Sequence, residues 1–265
     1  MQLRQLFGIS AFLLGTFITT PGTAGLIAHW DFDELGGTTA HDQIGSVDGT
    51  LIGGVGFTGT GGVIGGAVEF SDGFVSMGTN FPALPAFSIQ AWVQTDDPSG
   101  MMPVSRHRAG VAQGYFLSLN DVNDGFTVDG SAGFYSANGT SGGSAVGGTA
   151  VNNGTWRQLV GVYSNGTTQI FVDGALVGTG NFGHSTPASV DFLVGGVVNS
   201  VGTAINFYRG LIDEVKVFDH ALAEQEVEDL YDATLNPSPV PEPASIVLFA
   251  IGGLGVLTRT RIRKV

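Results

Sequence analysis

The feature that most constrains the fold is a series of short apolar or alternating segments, each bounded by Gly, Asn or Asp. Within residues 88–94 every second residue is aliphatic, which is the period of a strand with one buried face. Ser164-Asn165-Gly166-Thr167 and Asp173-Gly174 are typical of tight hairpin turns, because Asn-Gly and Asp-Gly accept positive φ angles. Many short strands joined by such turns predict an antiparallel β sandwich or jelly roll.

The same reasoning assigns strands and one helix along the chain. The predicted helix covers residues 222–233, where apolar side chains follow a helical period. The predicted strands are residues 26–32, 67–70, 74–77, 88–94, 115–119, 125–128, 156–163, 169–172, 175–177, 192–194 and 212–218.

Charge and composition exclude several classes of protein. The chain has 23 acidic and 10 basic residues, so it lacks the basic surface that nucleic-acid binding requires. It has no Cys, which excludes disulfides and thiolate metal sites. Its 43 glycines follow no Gly-X-Y period, which excludes collagen. Residues 25–240 keep five basic and 22 acidic residues and are therefore near −17.

The first 24 residues predict a secretory signal peptide. Arg4 precedes an apolar run at residues 6–18, and Gly22-Thr23-Ala24 offers small side chains for cleavage before Gly25. The alternative is an uncleaved membrane anchor. The run is shorter than the about 20 residues of a spanning helix, which favours the signal peptide.

Residues 237–265 predict a separate segment after the globular domain. A Pro-rich linker leads to Pro241-Glu242-Pro243 and then to an apolar run at residues 244–257. This transmembrane helix would be about 21 Å long, short of a bilayer core of about 30 Å. The basic end would stay cytoplasmic; its residues are Arg259, Arg261, Arg263 and Lys264.

Together these elements resemble a PEP-CTERM sorting signal. The resemblance implies an exosortase as partner, transient membrane attachment through the helix, and export to the surface or biofilm matrix of a Gram-negative bacterium. The processing would parallel that of a GPI signal, where a temporary membrane tail is removed. The alternative is a plain single-span anchor that is retained.

Residues 25–236 are predicted to form one domain. Six motifs of this domain occur in the same order as in LamG-like jelly rolls, which have the concanavalin A-like lectin/glucanase fold, and are similar to them. The resemblance implies two antiparallel sheets followed by one short helix. The matching segments are residues 26–34, 36–42, 65–70, 87–93, the pair 156–160 and 170–174, and 210–218 with the helix after Leu222.

No catalytic residues are predicted. Related glucanases place two carboxylates on one strand as Glu-x-Asp-x-x-Glu or Glu-x-Asp-x-Glu, and this chain has no such string. Asp213 and Glu214 are adjacent, so strand alternation would point them to opposite faces. Glu224, Glu226 and Glu228 fall on the helix, where we expect them to be solvated.

Calcium is the predicted cofactor. Oxygen ligands suit Ca²⁺, and the resemblance implies a structural ion between the first and last strands. Asp31 or Asp33 together with Asp213 would supply carboxylates if those strands are neighbours. The alternative is that Asp33 and Asp213 only cap turns or accept backbone N–H groups.

Other candidate residues are predicted to be structural. Arg106-His107-Arg108 is the one basic patch of the body, and we expect a solvated loop rather than contact with a partner's carboxylate or sulfate. Residues 139–143 fit GxSxG but sit in a run of Gly and Ser that predicts a loop. The three tryptophans, Trp30, Trp92 and Trp156, are expected in the core. Four further aromatic residues in or beside loops are weaker candidates for ligand contacts; they are Tyr115, Phe134, Tyr135 and Phe207.

The predicted function is non-catalytic binding of a glycan or another surface polymer by an exported protein. It rests on the fold resemblance. One alternative is a purely structural or adhesive matrix module that binds no sugar. A second, less favoured alternative is a polysaccharide hydrolase or lyase.

Overall fold

The computed structural model describes residues 25–108, 110–120, 130–187 and 189–236. The predicted signal peptide, the predicted strand at residues 125–128 and the sorting segment lie outside the described residues.

Over the described residues the chain is a sandwich of two β sheets with one helix, as the sequence predicts. The elements in chain order are β1 (Leu26–Trp30), β2 (Thr39–Ala40), β3 (Gly49–Ile52), β4 (Val55–Phe57), β5 (Val68–Phe70), β6 (Phe74–Ser76), β7 (Ala86–Gln94), β8 (Met101–Arg108), β9 (Gln113–Leu119), β10 (Ser131–Asn138), β11 (Gly142–Ala150), β12 (Arg157–Ser164), β13 (Thr167–Val172), β14 (Ala175–Asn181), β15 (Leu193–Val194), β16 (Val197–Val198), β17 (Ala204–Ile205), β18 (Gly210–Phe218) and α1 (Glu224–Leu235).

The strands divide between two sheets. The eight-stranded sheet has the order β14-β13-β12-β7-β18-β5-β4, and β1 also pairs with β18. The ten-stranded sheet has the order β11-β10-β9-β8-β15-β6-β3-β2, with β16 and β17 attached beside β8. The pairing is antiparallel apart from one residue pair between β16 and β8. The first and last strands of the domain are therefore neighbours, as the calcium prediction requires.

Both hairpin predictions are confirmed. Asn165 and Gly166 have φ angles of 49° and 83°, and Asp173 and Gly174 have 50° and 78°. Two successive residues with positive φ match the twist of the flanking strands, which is why Asn-Gly and Asp-Gly occupy these turns.

The main core lies between the two sheets. Alternate residues of β7, among them Phe87, Ile89 and Val93, are almost fully buried there. A smaller core forms on the outer face of the eight-stranded sheet, where Val160 and Phe218 pack with Val227 of α1. This second core fixes the helix against the sheet.

The helix begins two residues later than predicted. Its N-cap, Ala223, makes no side-chain hydrogen bond, but its N–H donates to Glu226 Oε2 at 2.8 Å. Half of a capping box therefore forms, because an alanine has no oxygen to cap the next turn.

One predicted loop is a strand, and the other is a loop only over residues 139–141, because β11 begins at Gly142. Arg106 and His107 lie in β8 and are buried, so the prediction of a solvated basic loop is wrong. The Gly- and Ser-rich run continues into β11. Its glycines permit close approach of β14, since a methyl group at Gly147 would lie 2.6 Å from Val177 Cγ2.

Candidate functional site

A bulge in β18 changes the expected direction of Asp213 and Glu214. Ile212 and Val215 both face the main core, so one extra residue separates them, and the pairing with β7 shifts there. Glu214 adopts a φ of 50°. The bulge turns both carboxylates away from the core, so the prediction that they point to opposite faces is wrong.

Glu214 is part of a polar cluster on the outer face of the sheet. Its Oε2 lies 3.1 Å from His29 Nε2 and also accepts a hydrogen bond from Lys216 Nζ. Burial alone would raise the pKa of Glu214, but the His29 hydrogen bond and the Lys216 charge outweigh it and lower that pKa. The Glu214 carboxylate is therefore held by two side chains of the domain itself, His29 and Lys216.

Asp213 is fully buried and bonded only to backbone groups in the contacts of the described residues. Oδ2 accepts the N–H of Ile64 at 3.1 Å, and Oδ1 accepts the N–H of Glu214 at 2.7 Å. Burial, reinforced by the negative charge of Glu214, raises the pKa of Asp213 to about 8. A cation beside this carboxylate would stabilise its ionised form and so offset the free-energy cost of burying the charge.

Asp33 contacts the loop of residues 62–66, which also contacts Asp213. Its Oδ1 accepts the N–H of Gly66 at 2.6 Å, and a methyl group at Gly65 would lie 2.2 Å from that oxygen. A methyl group at Gly62 would lie 2.7 Å from Asp213 Oδ2. Two of the three predicted calcium ligands thus border residues 62–66. Asp31 instead accepts a hydrogen bond from Gln43 Nε2 at 3.1 Å.

The donor set around residues 62–66 suits calcium in kind. Carboxylate oxygens are ligands that Ca²⁺ prefers, but those of Asp33 and Asp213 already accept backbone N–H groups, as in the alternative stated from the sequence. The described residues contain no group of three or more His, Asp or Glu side chains that could hold a metal. A calcium site here would therefore combine Asp33 and Asp213 with backbone carbonyls.

A separate hollow of about 340 Å³ opens beside the end of β12. Three segments that are distant in sequence form it: the loop before β7, the end of β12 and the loop after β14. None of its lining residues carries a carboxylate, an ammonium or a guanidinium group. They are Ala83, Leu84, Pro85, Tyr163, His184, Ser185 and Thr186.

Aromatic rings hold His184 in the wall of the hollow. Its ring centroid lies 5.0 Å from that of Phe87 and 5.1 Å from that of Tyr163. Burial, with a smaller effect of the Arg106 charge, lowers the pKa of His184 to about 4. The imidazole is therefore neutral at pH 7, and its Nε2 lies 3.1 Å from Thr186 Oγ1.

Arg106 lies beneath the hollow and holds one of its walls. Nη1 donates to the carbonyl of Pro82 at 2.8 Å, and Nη2 donates to that of Thr79 at 3.3 Å. The guanidinium also stands 6.0 Å from the ring centroid of Phe81. These contacts fix the loop that continues into Ala83, Leu84 and Pro85.

Within the described residues, two buried polar atoms of the hollow's lining have no hydrogen-bond partner: His184 Nδ1 and Ser185 Oγ. Such a group costs free energy unless water or a ligand satisfies it. The hollow thus combines aromatic walls with an unused hydroxyl group.

An acidic groove of about 440 Å³ lies between the Asp173-Gly174 turn and α1. Tyr231 lines it and stacks on Trp92 with centroids 5.7 Å apart. Arg157 Nε contacts Asp173 Oδ2 at 2.7 Å. The groove's carboxylates are Asp173, Glu224, Glu228 and Asp232.

The other aromatic candidates divide between the core and the surface. Trp30 and Trp92 are buried as predicted, whereas Trp156 is only half-buried. Tyr115 and Phe134 lie on core strands rather than beside loops. Two half-buried rings stack on phenylalanines: Tyr135 on Phe116 and Phe207 on Phe74.

Comparison with known proteins decides the family. The profile of the concanavalin A-like lectin/glucanases superfamily, in its Laminin_G_3 form, matches residues 62–228. The chain belongs to this superfamily. Its concanavalin A-like domain is followed by a match to the PEP-CTERM protein-sorting motif at residues 239–264. Both resemblances inferred from the sequence are therefore confirmed, and together they indicate an exported envelope protein with a carbohydrate-binding type of module.

Solved structures share the fold at low sequence identity. Domain 4 of AbnA, a GH43 extracellular arabinanase from Geobacillus stearothermophilus in complex with arabinotriose, is 21% identical, with a TM-score of 0.62 over 78% of this chain and 98% of that one. The binding domain of Paraclostridial Mosquitocidal Protein 1 is 13% identical, with a TM-score of 0.61 over 80% and 53%. A Trypanosoma rangeli sialidase in complex with 2,3-difluorosialic acid is 16% identical, with a TM-score of 0.58 over 85% and 35%.

These neighbours show that the fold occurs both in a chain named as an enzyme and in a domain named for binding. No curated protein matches the chain. Within the part of the chain that the structure describes, no helix has the length and apolar character needed to cross a bilayer. The predicted transmembrane helix at residues 244–257 lies outside that part.

Proposed function

We propose that the concanavalin A-like domain binds a glycan without transforming it, and that the hollow beside Tyr163 is the binding site. The observation that carries the proposal is the pairing of aromatic walls with the unused hydroxyl of Ser185. Sugar C–H groups pack against aromatic surfaces, while sugar hydroxyls satisfy polar atoms that would otherwise stay unbonded.

A glycan array with the purified protein tests this function. We expect saccharide binding that His184→Ala weakens at least tenfold, because the variant removes part of the aromatic wall. His41→Ala is the matched control, since His41 is exposed and pairs with Asp48 away from the hollow. The absence of saccharide binding, with calcium and with chelator alike, would contradict the proposal and favour a structural or adhesive matrix module.

Non-catalytic binding is favoured over hydrolysis by how the buried carboxylates are used. Asp213 accepts two backbone N–H groups, and Glu214 is held by His29 and Lys216. Neither lines the hollow. Release of reducing ends or unsaturated products from polysaccharides would instead support a hydrolase or lyase, and the acidic groove would then be the first place to mutate.

Calcium is proposed as a structural cofactor held by Asp33 and Asp213. The supporting observation is the buried Asp213 carboxylate, which has no cationic partner among the described residues. Asp31 could be a calcium ligand only if its Oδ1 gave up the hydrogen bond from Gln43. We expect millimolar calcium to raise the melting temperature of the native protein and to leave that of Asp33→Asn unchanged, whereas an equal increase in both would contradict this site.

Export completes the proposal. The sorting motif supports processing by an exosortase near Pro241-Glu242-Pro243 in the envelope of a Gram-negative bacterium. The proposed segments are a signal peptide at 1–24, the domain at 25–236 and the sorting segment at 237–265. Mass spectrometry of the native surface protein should show an N-terminus at Gly25 and no basic tail, and finding Arg261–Val265 retained would refute the processing step.

A further inference from the structure

The hollow differs electrostatically from the rest of the protein surface. Arg106 is only 4% exposed, and no carboxylate pairs with it among the described residues. The guanidinium donates to the neutral carbonyls of Thr79 and Pro82 and also interacts with the Tyr115 hydroxyl, while Nε has no hydrogen-bond partner. A buried charge that no counter-ion matches acts over several ångströms, because the protein interior screens it weakly.

That positive charge reaches the wall of the hollow. Arg106 Nη1 donates to the carbonyl of Pro82, the residue directly before the lining residue Ala83, and the charge contributes to lowering the pKa of the His184 imidazole. The wall segments at residues 79–86 and 182–187 contain no Asp or Glu. The hollow therefore has a buried guanidinium behind one wall and no acidic residue in these wall segments, on a domain whose net charge is near −17.

We propose that the hollow is selective for an acidic saccharide, whose anionic group is drawn by the buried charge of Arg106. The inference rests on the proposed glycan-binding function and names its ligand class. The sugar ring would lie against Tyr163 and His184, and Ser185 Oγ would hydrogen-bond the ligand. Arg106 acts as a positioning residue, through its field and through the loop it holds.

A comparison of two forms of one ligand tests the selectivity without changing the protein. Calorimetry of the full chain with a galacturonic acid trisaccharide and with its methyl ester isolates the negative charge. We expect the acid to bind about tenfold more tightly at low ionic strength, with the ratio shrinking as salt is added. A sulfated neutral trisaccharide shows whether the site takes any anionic group or requires a carboxylate.

The possible outcomes separate the two proposals. Equal binding of acid and ester, or tighter binding of the ester, would overturn the selectivity while leaving glycan binding intact. If neither form of this ligand nor any saccharide on the array binds, the function itself fails. Preference for the acid that persists unchanged in 1 M salt would also contradict an electrostatic origin.

Variants assign the preference to Arg106. Arg106→Lys keeps the charge and should keep the preference for the acid, whereas Arg106→Gln should reduce the acid-to-ester ratio to near one. Arg209→Gln is the matched control, because Arg209 is half-exposed and pairs with Asp97. A ratio that stays tenfold in folded Arg106→Gln, or falls equally in the control, would refute the assignment. If Arg106→Gln does not fold, binding of the acid and of the ester is compared in Arg106→Lys instead. Loss of the acid-to-ester preference in folded Arg106→Lys would contradict a role for the positive charge.

Discussion

The hollow and the acidic groove are two concavities of similar size on one domain, and their electrostatics are opposite. The groove is lined by four carboxylates and one tyrosine, while the hollow has no charged lining residue and a buried guanidinium behind it. Net charge alone would predict that both repel anions. The two concavities therefore differ in the charged groups beside them, since the hollow combines a lining without carboxylates with a nearby buried guanidinium.

The largest expected difference between the two regions is in the stability contribution of their arginines. Arg106→Met leaves the carbonyls of Thr79 and Pro82 without donors and should lower the free energy of unfolding by about 3 kcal/mol. Arg157→Met at the groove breaks a partly exposed ion pair with Asp173 and should cost about 1 kcal/mol. Urea titrations measure both, and equal losses would show that Arg106 has no special structural role.

The pH dependence of stability should separate the hollow from the surface. The pKa of His184 is about 4 in the folded protein and about 6.5 when unfolded, so the unfolded chain binds more protons between those values. The contribution of His184 to stability is therefore present above pH 6.5 and is lost toward pH 4, and because the side chain is partly exposed and screened by solvent the loss should be about 2 kcal/mol.

His184→Gln tests that assignment, because glutamine cannot titrate. Thermal unfolding of this variant should show a shallower loss between pH 6.5 and 4 than the native protein does. The exposed His41→Gln is the control and should leave the loss unchanged. An identical pH profile for native protein and His184→Gln would mean that the imidazole is not buried as described.

The smallest of the three effects concerns the helix that borders the groove. Ala223→Ser adds the missing oxygen at the N-cap, opposite the bond that Glu226 already makes, and should stabilise the protein by about 1 kcal/mol. Ala233→Ser, in the exposed last turns of α1, should be neutral or slightly destabilising. Stabilisation by both, seen in denaturant titrations, would exclude capping as the cause.

The fold was largely predictable from the sequence because its strands alternate and its hairpins carry Asn-Gly and Asp-Gly. Eight strands were not predicted. Five of them, β2, β3, β4, β16 and β17, have only two to four residues, and β8, β10 and β11 were missed because Arg106-His107-Arg108 and runs of Gly and Ser have the composition of loops. In β11 the small residues serve the close packing against β14 that a local pattern does not reveal.

The site was predictable only in part. The neighbouring terminal strands bring Asp33 and Asp213 to one loop, as expected, but the bulge that turns Asp213 and Glu214 outward was missed. Its signal was present in the sequence, because Ile212 and Val215 break the period of two. The hollow had no such signal, since its three segments meet only through the sandwich.

The most direct test of glycan binding in the hollow is NMR of the imidazole and tyrosine ring signals during titration with an acidic trisaccharide. We expect the signals of His184 and Tyr163 to shift with saturation, while those of His41 and Tyr231 stay in place. Saturable shifts at Tyr231 of the acidic groove, with His184 and Tyr163 unmoved, would contradict glycan binding in the hollow.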